Sequence, residues 1–435
     1  MPSVFLNVLV FSMPLAVLAS IYLMLQKRHH AKALDRLQEA QASGLTEPAT
    51  LHPVIDPSVC IGCGTCVSAC PEGRILGLIN RKAVLVSPAS CIGHGACNDA
   101  CPTGAISLVF GTETRGVEIP QLDSDFETTV PGVFIAGELG GMGLIKNAIA
   151  QGKQAVDAIS WRLRKTSGSA LDLVIVGAGP AGLSAALAAR QKGLQFAVLE
   201  QDSVGGTVSH YPRGKVVMTQ PAELPLVGKF QFREASKETL MEFWESVADN
   251  VRSEIHTGCR VERIEKSADL FTITTPQETF HSRFVLLAMG RRGTPRKLGV
   301  TGEDLPKVVY RLIDPEQYSN RHVLVVGGGD SALEAALAVA GQPGTTTSLS
   351  YRSGAFSRAK TKNRSAVETA VAAGKINLFM NSNVTRIEAS EVIIDSGDRQ
   401  DTLPNDDIIV CAGGVLATGF LRSIGIHVEE KFGTV

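Results

Sequence analysis

Residues 171–200, LDLVIVGAGPAGLSAALAARQKGLQFAVLE, constrain the fold of this 435-residue chain more than any other stretch. The apolar, β-branched run at 171–176 predicts a buried parallel strand. Gly177, Gly179 and Gly182 follow in G-x-G-x-x-G spacing, with Pro180 and Ala181 between them. Residues 181–192 predict a helix, and 196–199 predict a second strand that ends at Glu200. Gly177 permits the tight turn, Gly179 lets backbone approach a pyrophosphate, and Gly182 lets the helix pack on the strand. The helix N-terminus offers free N–H groups and a positive dipole end to phosphate oxygens. Glu200 stands where an acid accepts hydrogen bonds from a ribose diol. Strand, glycines, helix, second strand and acid fall in register, which favours a dinucleotide site over an ordinary glycine turn.

A second unit of this kind lies at 322–340, HVLVVGGGDSALEAALAVA. Gly327, Gly329 and Ala332 give G-x-G-x-x-A, with Asp330 and Ser331 inside it. The next predicted strand, 345–350, ends at Tyr351-Arg352-Ser353 with no acid. Arg352 and Arg358, with Lys360 nearby, suit a ribose 2′-phosphate instead, so NADPH is expected rather than NADH. A solvated basic loop is the plainer alternative. The overall charge of −1 gives no sign of nucleic-acid binding. Hydrophobic content of 44%, aromatic content of 5% and 43 glycines fit an α/β protein with many turns.

Seven of the nine cysteines lie between Cys60 and Cys101. They read Cys60-x-x-Cys63-x-x-Cys66-x-x-x-Cys70-Pro71, then Cys91-x-x-His94-x-x-Cys97-x-x-x-Cys101-Pro102. This resembles the run C-x2-C-x2-C-x3-C-P of bacterial two-cluster ferredoxins, present twice. The resemblance implies that three cysteines of each run hold one 4Fe-4S cubane while the fourth reaches the other. Cys60, Cys63, Cys66 and Cys101 would complete one site. Cys91, Cys97 and Cys70 would serve the second, with His94 where the family has Cys. His94 either ligates iron, leaves a three-iron or labile cluster, or faces solvent or backbone and ligates nothing. Zinc is a weaker reading of so specific a double pattern. Clustered rather than dispersed cysteines favour a reducing compartment.

Residues 1–26 carry no charged side chain, and 4–25 are long and apolar enough to span a bilayer as a helix. Lys27, Arg28, Lys32 and Arg36 follow, which predicts a single-pass anchor in the bacterial inner membrane with the rest in the cytoplasm. A cleaved signal would want positive charge before the apolar run. Residues 26–42 read as a polar helical continuation, and 43–53 as a linker.

Residues 130–159, VPGVFIAGELGGMGLIKNAIAQGKQAVDAI, resemble the C-terminal flavin-binding segment of thioredoxin-reductase-like flavoproteins. Gly137-Glu138 holds that family's Gly-Asp position. Gly205-Gly206 sits where the family places a glycine pair against the flavin, and 284–290, FVLLAMG, resembles the strand by which the chain leaves the flavin domain. The resemblance covers 110–435 and implies FAD as cofactor. The segment precedes the glycine motif instead of following it. Phe110-Gly111-Thr112 repeats the Phe432-Gly433-Thr434 of the far end. A circular permutation would explain both.

The expected organisation is a transmembrane anchor (1–26), a helical linker (27–53), a ferredoxin-like domain (54–109), the permuted part of the FAD domain (110–160), the FAD domain (170–292), an NAD(P)H domain (293–411) and a return to the FAD domain (412–435). The expected fold class is α/β: two Rossmann-like three-layer dinucleotide-binding domains, preceded by a small α+β ferredoxin-like domain and one transmembrane helix. Family members that reduce thioredoxin carry a C-x-x-C before the second glycine motif. Here 302–321 holds no Cys, no C-x4-C stands beside Gly205, and Cys259 and Cys411 read as core thiols. The resemblance is therefore to the disulfide-free branch, which includes ferredoxin-NADP reductases and bacillithiol-disulfide-reductase-like proteins. Taken with the apolar N-terminal stretch and the cysteine runs, it implies a membrane-anchored oxidoreductase moving electrons between NAD(P)H, FAD and clusters. Its partner would be a ferredoxin, a cytochrome or a quinone-linked subunit, and a homodimer is compatible with it. The rivals are a small-molecule disulfide or quinone reductase and a redox sensor without turnover. Hydride transfer needs no side-chain acid or base, so no catalytic residue is expected.

Overall fold

The computed structural model describes residues 2–48, 51–73, 75–141, 143–163, 170–218, 221–232, 234–291, 295–357, 359–397, 399–415 and 417–433. At 2–12, 15 and 218 only the backbone is described. Two compact units are formed, Met1–Thr114 with Gly433–Val435, and Arg115–Phe432.

The smaller unit opens with one helix, Pro2–Ala42, which runs through Pro14 without a break. The polar continuation expected at 26–42 is thus the same helix. It is no free linker: Ala33 and Ala40 are buried, and the Asn80 N–H donates to His30 Nδ1 at 3.2 Å. Nor is 43–53 all loop, since strand His52–Ile55 begins there and pairs antiparallel with Ile106–Val109. A hairpin, Leu76–Ile79 with Lys82–Leu85, and two short helices, Thr65–Ala69 and Ala96–Asp99, complete the unit. Its core is Cys60, Cys66, Leu76, Ala83, Cys97, Ala105 and Ile106.

Among the described residues, no helix is long and apolar enough to cross a membrane, so the transmembrane helix expected at 4–25 is not found as such. About half of that stretch, 4–12 and 15, has side chains outside the described residues.

The larger unit carries a mixed, mainly parallel sheet and an all-parallel one. In the first the strand order is Ile255–His256, Phe196–Leu199, Leu171–Val176, Thr279–Leu287, then the antiparallel pair Leu270–Thr274 and Arg263–Ser267. The long strand Thr279–Leu287 has two partners on its outer edge. Its first half pairs with Leu270–Thr274, and its second half takes Val133–Ile135 in parallel, Val285 opposite Val133. Residues that precede the glycine motif therefore complete the sheet the motif starts. The helix that follows them, Ile145–Arg162, packs on the motif helix Pro180–Gln191, where a Cβ at Gly152 would lie 2.1 Å from the Ala181 carbonyl oxygen. The chain's last described strand, Val428–Lys431, pairs antiparallel with Val117–Pro120.

The second sheet runs Val308–Val309, Asp407–Val410, His322–Val326, Thr346–Tyr351, Ile376–Met380, all parallel. A three-stranded antiparallel sheet, Asn383–Ile387, Glu391–Asp395 and Gln400–Pro404, covers one face with Val384, Ile387, Val392 and Ile394. The continuous apolar strands arise because parallel sheets are buried on both faces. The helix Lys237–Ala248 tightens at its end into a 3-10 turn.

Gly152→Ala forces the two packed helices apart, so the unfolding free energy of the larger unit should fall by about 1–3 kcal/mol. Calorimetry of the full chain, read on that unit's transition, checks this; an unchanged transition would show that the helices part freely.

Candidate cofactor sites

Around the first glycine motif the backbone leaves no room for side chains. A Cβ at Gly177 would stand 2.7 Å from the Ala288 oxygen, and one at Gly182 would strike the Gly177 oxygen. Gly179 faces only Gly206, 3.6 Å from where its Cβ would be, and the Gly205 N–H donates to the Ala178 oxygen at 3.0 Å. Gly137 joins them from the far side of the chain: its Cβ position is 3.1 Å from Ala181, and its N–H donates to Gln151 Oε1 at 2.8 Å. Gly137, Gly177, Gly179, Pro180, Ala181, Gly182, Gly205 and Gly206 thus meet in one glycine-lined cradle at a helix N-terminus. Pro180 occupies the first turn of that helix, where its missing N–H costs nothing.

Glu200 is buried at the end of its strand. It accepts hydrogen bonds from the Ala178 N–H at 2.7 Å and the Asp202 N–H at 2.9 Å. Burial still holds its carboxyl above the usual range. Glu138 is half-buried beside Gly143. Arg291 lies within electrostatic reach of it and donates to the Glu118 backbone oxygen at 3.1 Å. Burial lowers the pKa of Arg291, and the attraction of Glu138 and Glu118 opposes this. Arg291 was not singled out from the sequence, although a charge directly after the FVLLAMG exit strand is a usable signal. This cradle fits the diphosphate and ribose of a flavin dinucleotide.

The second motif matches the first in register. Gly177 donates its N–H to Leu199, and Gly327 donates to Ser350 at 2.9 Å. Tyr351 therefore holds the place of Glu200. Its ring covers Gly328, where a Cβ would lie 2.3 Å from it, and stacks on Phe356 at 5.5 Å between centroids. Gly327 is required by the Cys411 oxygen, 2.4 Å from its Cβ position; Gly329 opens on free space, and Ala332 is buried beneath the turn. Asp330 does not face outward freely, since its carboxylate accepts from the Lys360 N–H at 2.8 Å and from Asn363 Nδ2 at 2.7 Å. Ser331 and Arg352 are exposed, and Arg358 lies outside the described residues. The open turn at Gly329 and the absence of an acid at the strand end fit a nicotinamide dinucleotide.

The cysteine runs form two loops of matching shape. Gly62 and Gly93 have φ of 72° and 73°, and Gly64 and Gly95 have φ of 79° and 81°. Each loop presses on backbone: a Cβ at Gly62 would strike the Arg81 oxygen, and one at Gly93 the Leu51 oxygen. Cys60, Cys63, Cys66 and Cys101 line one cavity with about 300 Å³ of free space, part of it open to solvent. Cys101 comes from the second run, as the ferredoxin resemblance implies. Cys70, Cys91 and Cys97 lie close enough to interact electrostatically with one another, and the Cys70 Sγ stands 3.8 Å from His94 Nε2. Burial pushes the Cys66 thiol up to about 11 and also raises Cys70, Cys91 and Cys97. The Thr65 hydroxyl and N–H lower Cys63. Buried thiolates of this kind need a cationic partner, which iron supplies. Among the described residues, no three His, Cys, Asp or Glu side chains are gathered for a single metal ion. Four thiols around an empty volume suit a cubane better.

Comparison with known proteins agrees with both sites. Residues 174–434 match the family pattern described as pyridine nucleotide-disulphide oxidoreductase, and residues 52–102 match the 4Fe-4S dicluster domain. The segment Val133–Ile135 and its following helix fall outside both ranges. The chain is similar to a bacilliredoxin reductase of Bacillus subtilis, 27% identical over 267 residues that cover 60% of this chain and 82% of that protein. A ferredoxin–NADP reductase of Ignicoccus hospitalis is 29% identical over 268 residues, 60% of this chain and 83% of that one. Among solved structures, a bacillithiol disulfide reductase of Staphylococcus aureus is 26% identical, covering 60% of this chain and 81% of that one at a TM-score of 0.52. With most of its length matched and both sets of binding loops in place, the chain belongs to the pyridine nucleotide-disulphide oxidoreductases, as an FAD-dependent NAD(P)H oxidoreductase that carries a 4Fe-4S dicluster domain in the same polypeptide.

Proposed function

We propose that the protein passes electrons between NADPH, FAD and its two iron–sulfur clusters, to or from a redox partner, as a ferredoxin-NADP reductase does. The observation that carries this is the distribution of thiols. Seven cysteines belong to the cluster loops, while Cys259 is buried in the flavin-domain core and Cys411 sits under the second glycine turn. No cysteine pair is available as a disulfide relay, so the clusters are the one-electron carriers of this chain. Bound FAD supplies the exchange between a two-electron hydride and single electrons. The protein's own part is to hold: the glycine cradle and Glu200 bind and orient. The same cradle, assembled from segments before and after the motif, supports reading the chain as a circular permutation of its family.

NADPH as the nucleotide is supported by Tyr351 in the place of Glu200 and by exposed Arg352 next to it. A membrane tether is supported by the described part of the first helix. Met13 is 64% exposed, Leu18 65% and Tyr22 59%, with no protein surface over them. A helix apolar on every side and uncovered by protein suits lipid. With Lys27, Arg28, Lys32 and Arg36 following, we place the protein on the cytoplasmic face of a bacterial inner membrane, where a membrane-bound cytochrome or quinone-linked subunit is a fitting partner.

In an anaerobic titration, NADPH should bleach the flavin and then raise the EPR signals of reduced clusters. Bleaching with the clusters left oxidised would point instead to a small-molecule disulfide reductase, and no change with either nucleotide to a sensor. Tyr351→Glu restores an acid at the ribose and should shift the NADPH/NADH ratio of kcat/KM toward NADH at least ~tenfold, about 1.4 kcal/mol of discrimination. The full chain should sediment with membranes and resist alkaline extraction, while a chain begun at Lys27 should not; release of the full chain by carbonate would remove the tether.

A further inference from the structure

His94 stands where Cys63 stands in the other loop, and the two side chains meet the same neighbour. The N–H two residues on donates to each: Thr65 to the Cys63 sulfur, and Ala96 to His94 Nδ1 at 3.2 Å. The outcome differs chemically. A thiolate sulfur has further lone pairs for iron after accepting one hydrogen bond. An imidazole nitrogen has one lone pair, and here the Ala96 N–H uses it. The ring's proton is therefore on Nε2, which points at Cys70 Sγ from 3.8 Å. A histidine that ligates metal usually donates its other N–H to an acceptor, whereas the other nitrogen of His94 faces a donor. The short distance argues the same way. Each iron of a cubane takes three sulfides and one protein ligand, so ligands on different irons diverge. Two atoms in hydrogen-bond contact cannot both be such ligands.

We propose that His94 ligates no iron and instead donates its Nε2–H to the Cys70 sulfur. The second cluster is then held by three thiolates, Cys70, Cys91 and Cys97, with one corner left without a protein ligand. This rests on reading the cysteine runs as a two-cluster domain. The two clusters then differ in kind. The first, on Cys60, Cys63, Cys66 and Cys101, is closed. The second offers a site for a small anionic or neutral donor from solution. The hydrogen bond to its sulfur stabilises the reduced cluster, because it offsets negative charge on the thiolate.

The test uses the anaerobically reconstituted full chain, its His94→Ala, His94→Gln and His94→Cys variants, and three readouts: iron content, EPR after one equivalent of ferricyanide, and nitrogen hyperfine coupling in the reduced state. Ferricyanide takes one electron from [4Fe-4S]2+, which releases Fe2+ and leaves [3Fe-4S]+. The wild-type chain should lose one iron per protein and show the three-iron signal. H94A should do the same with a lowered potential for that cluster, H94Q should restore the potential by keeping an N–H donor, and H94C should abolish the conversion. A strong histidine nitrogen coupling that disappears in H94A would overturn the proposal and leave the domain reading intact. Absence of any cluster in the wild-type chain would overturn both.

Discussion

The close approach of two helices at Gly152 is the contact on which the larger unit depends. The backbone of Ile145–Arg162 lies against the Ala181 carbonyl and the Ala185 amide, and the Ser184 hydroxyl donates to the Ile149 oxygen at 2.8 Å. Only small residues allow this spacing. The helix whose N-terminus faces the cofactor is thereby braced by a segment encoded well before it. Gly137 reaches Ala181 through the same brace. Cradle and sheet edge are consequences of one packing decision, made by Gly152 and the alanines of the motif helix.

Electrostatics divide the two nucleotide sites more than shape does. Both share a strand, a turn, a helix and the N–H bond from glycine to the adjoining strand. The first closes on a buried carboxylate that takes two backbone N–H groups. The second closes on an aromatic ring, with its acidic residue, Asp330, turned to Lys360 and Asn363 instead.

Much of this was legible in the sequence because it is local. Glycine spacing, the paired cysteine runs and the apolar strands report constraints that act over a few residues. The strand pairing of Val133–Ile135 was legible only through resemblance, since nothing in VFI says which distant edge it joins. Tyr351 was read past because a missing acid draws the eye to nearby arginines. Its role appears only when Gly177–Leu199 and Gly327–Ser350 are set in register. The helical reading of 26–42 ends where the helix does, at Ala42, but its packing was not legible: Ala33 looks like an ordinary spacer residue until the hairpin, where a Cβ at Gly77 would lie 2.7 Å from it, is packed against it.

The parallel pairing of Val133–Ile135 with the end of Thr279–Leu287 also sets an order of events during synthesis. The ribosome releases the cysteine loops and the first strand of the flavin sheet early, and the strand's partner about 150 residues later. At translation rates of about 5–20 residues per second, that strand waits on the order of ten seconds with an unpaired apolar edge. Iron–sulfur loading can therefore begin before flavin has anywhere to bind, and the edge has to be shielded in the meantime. Overproduction that outruns chaperones or cluster supply should fail first at this step, giving chains with metal but without flavin.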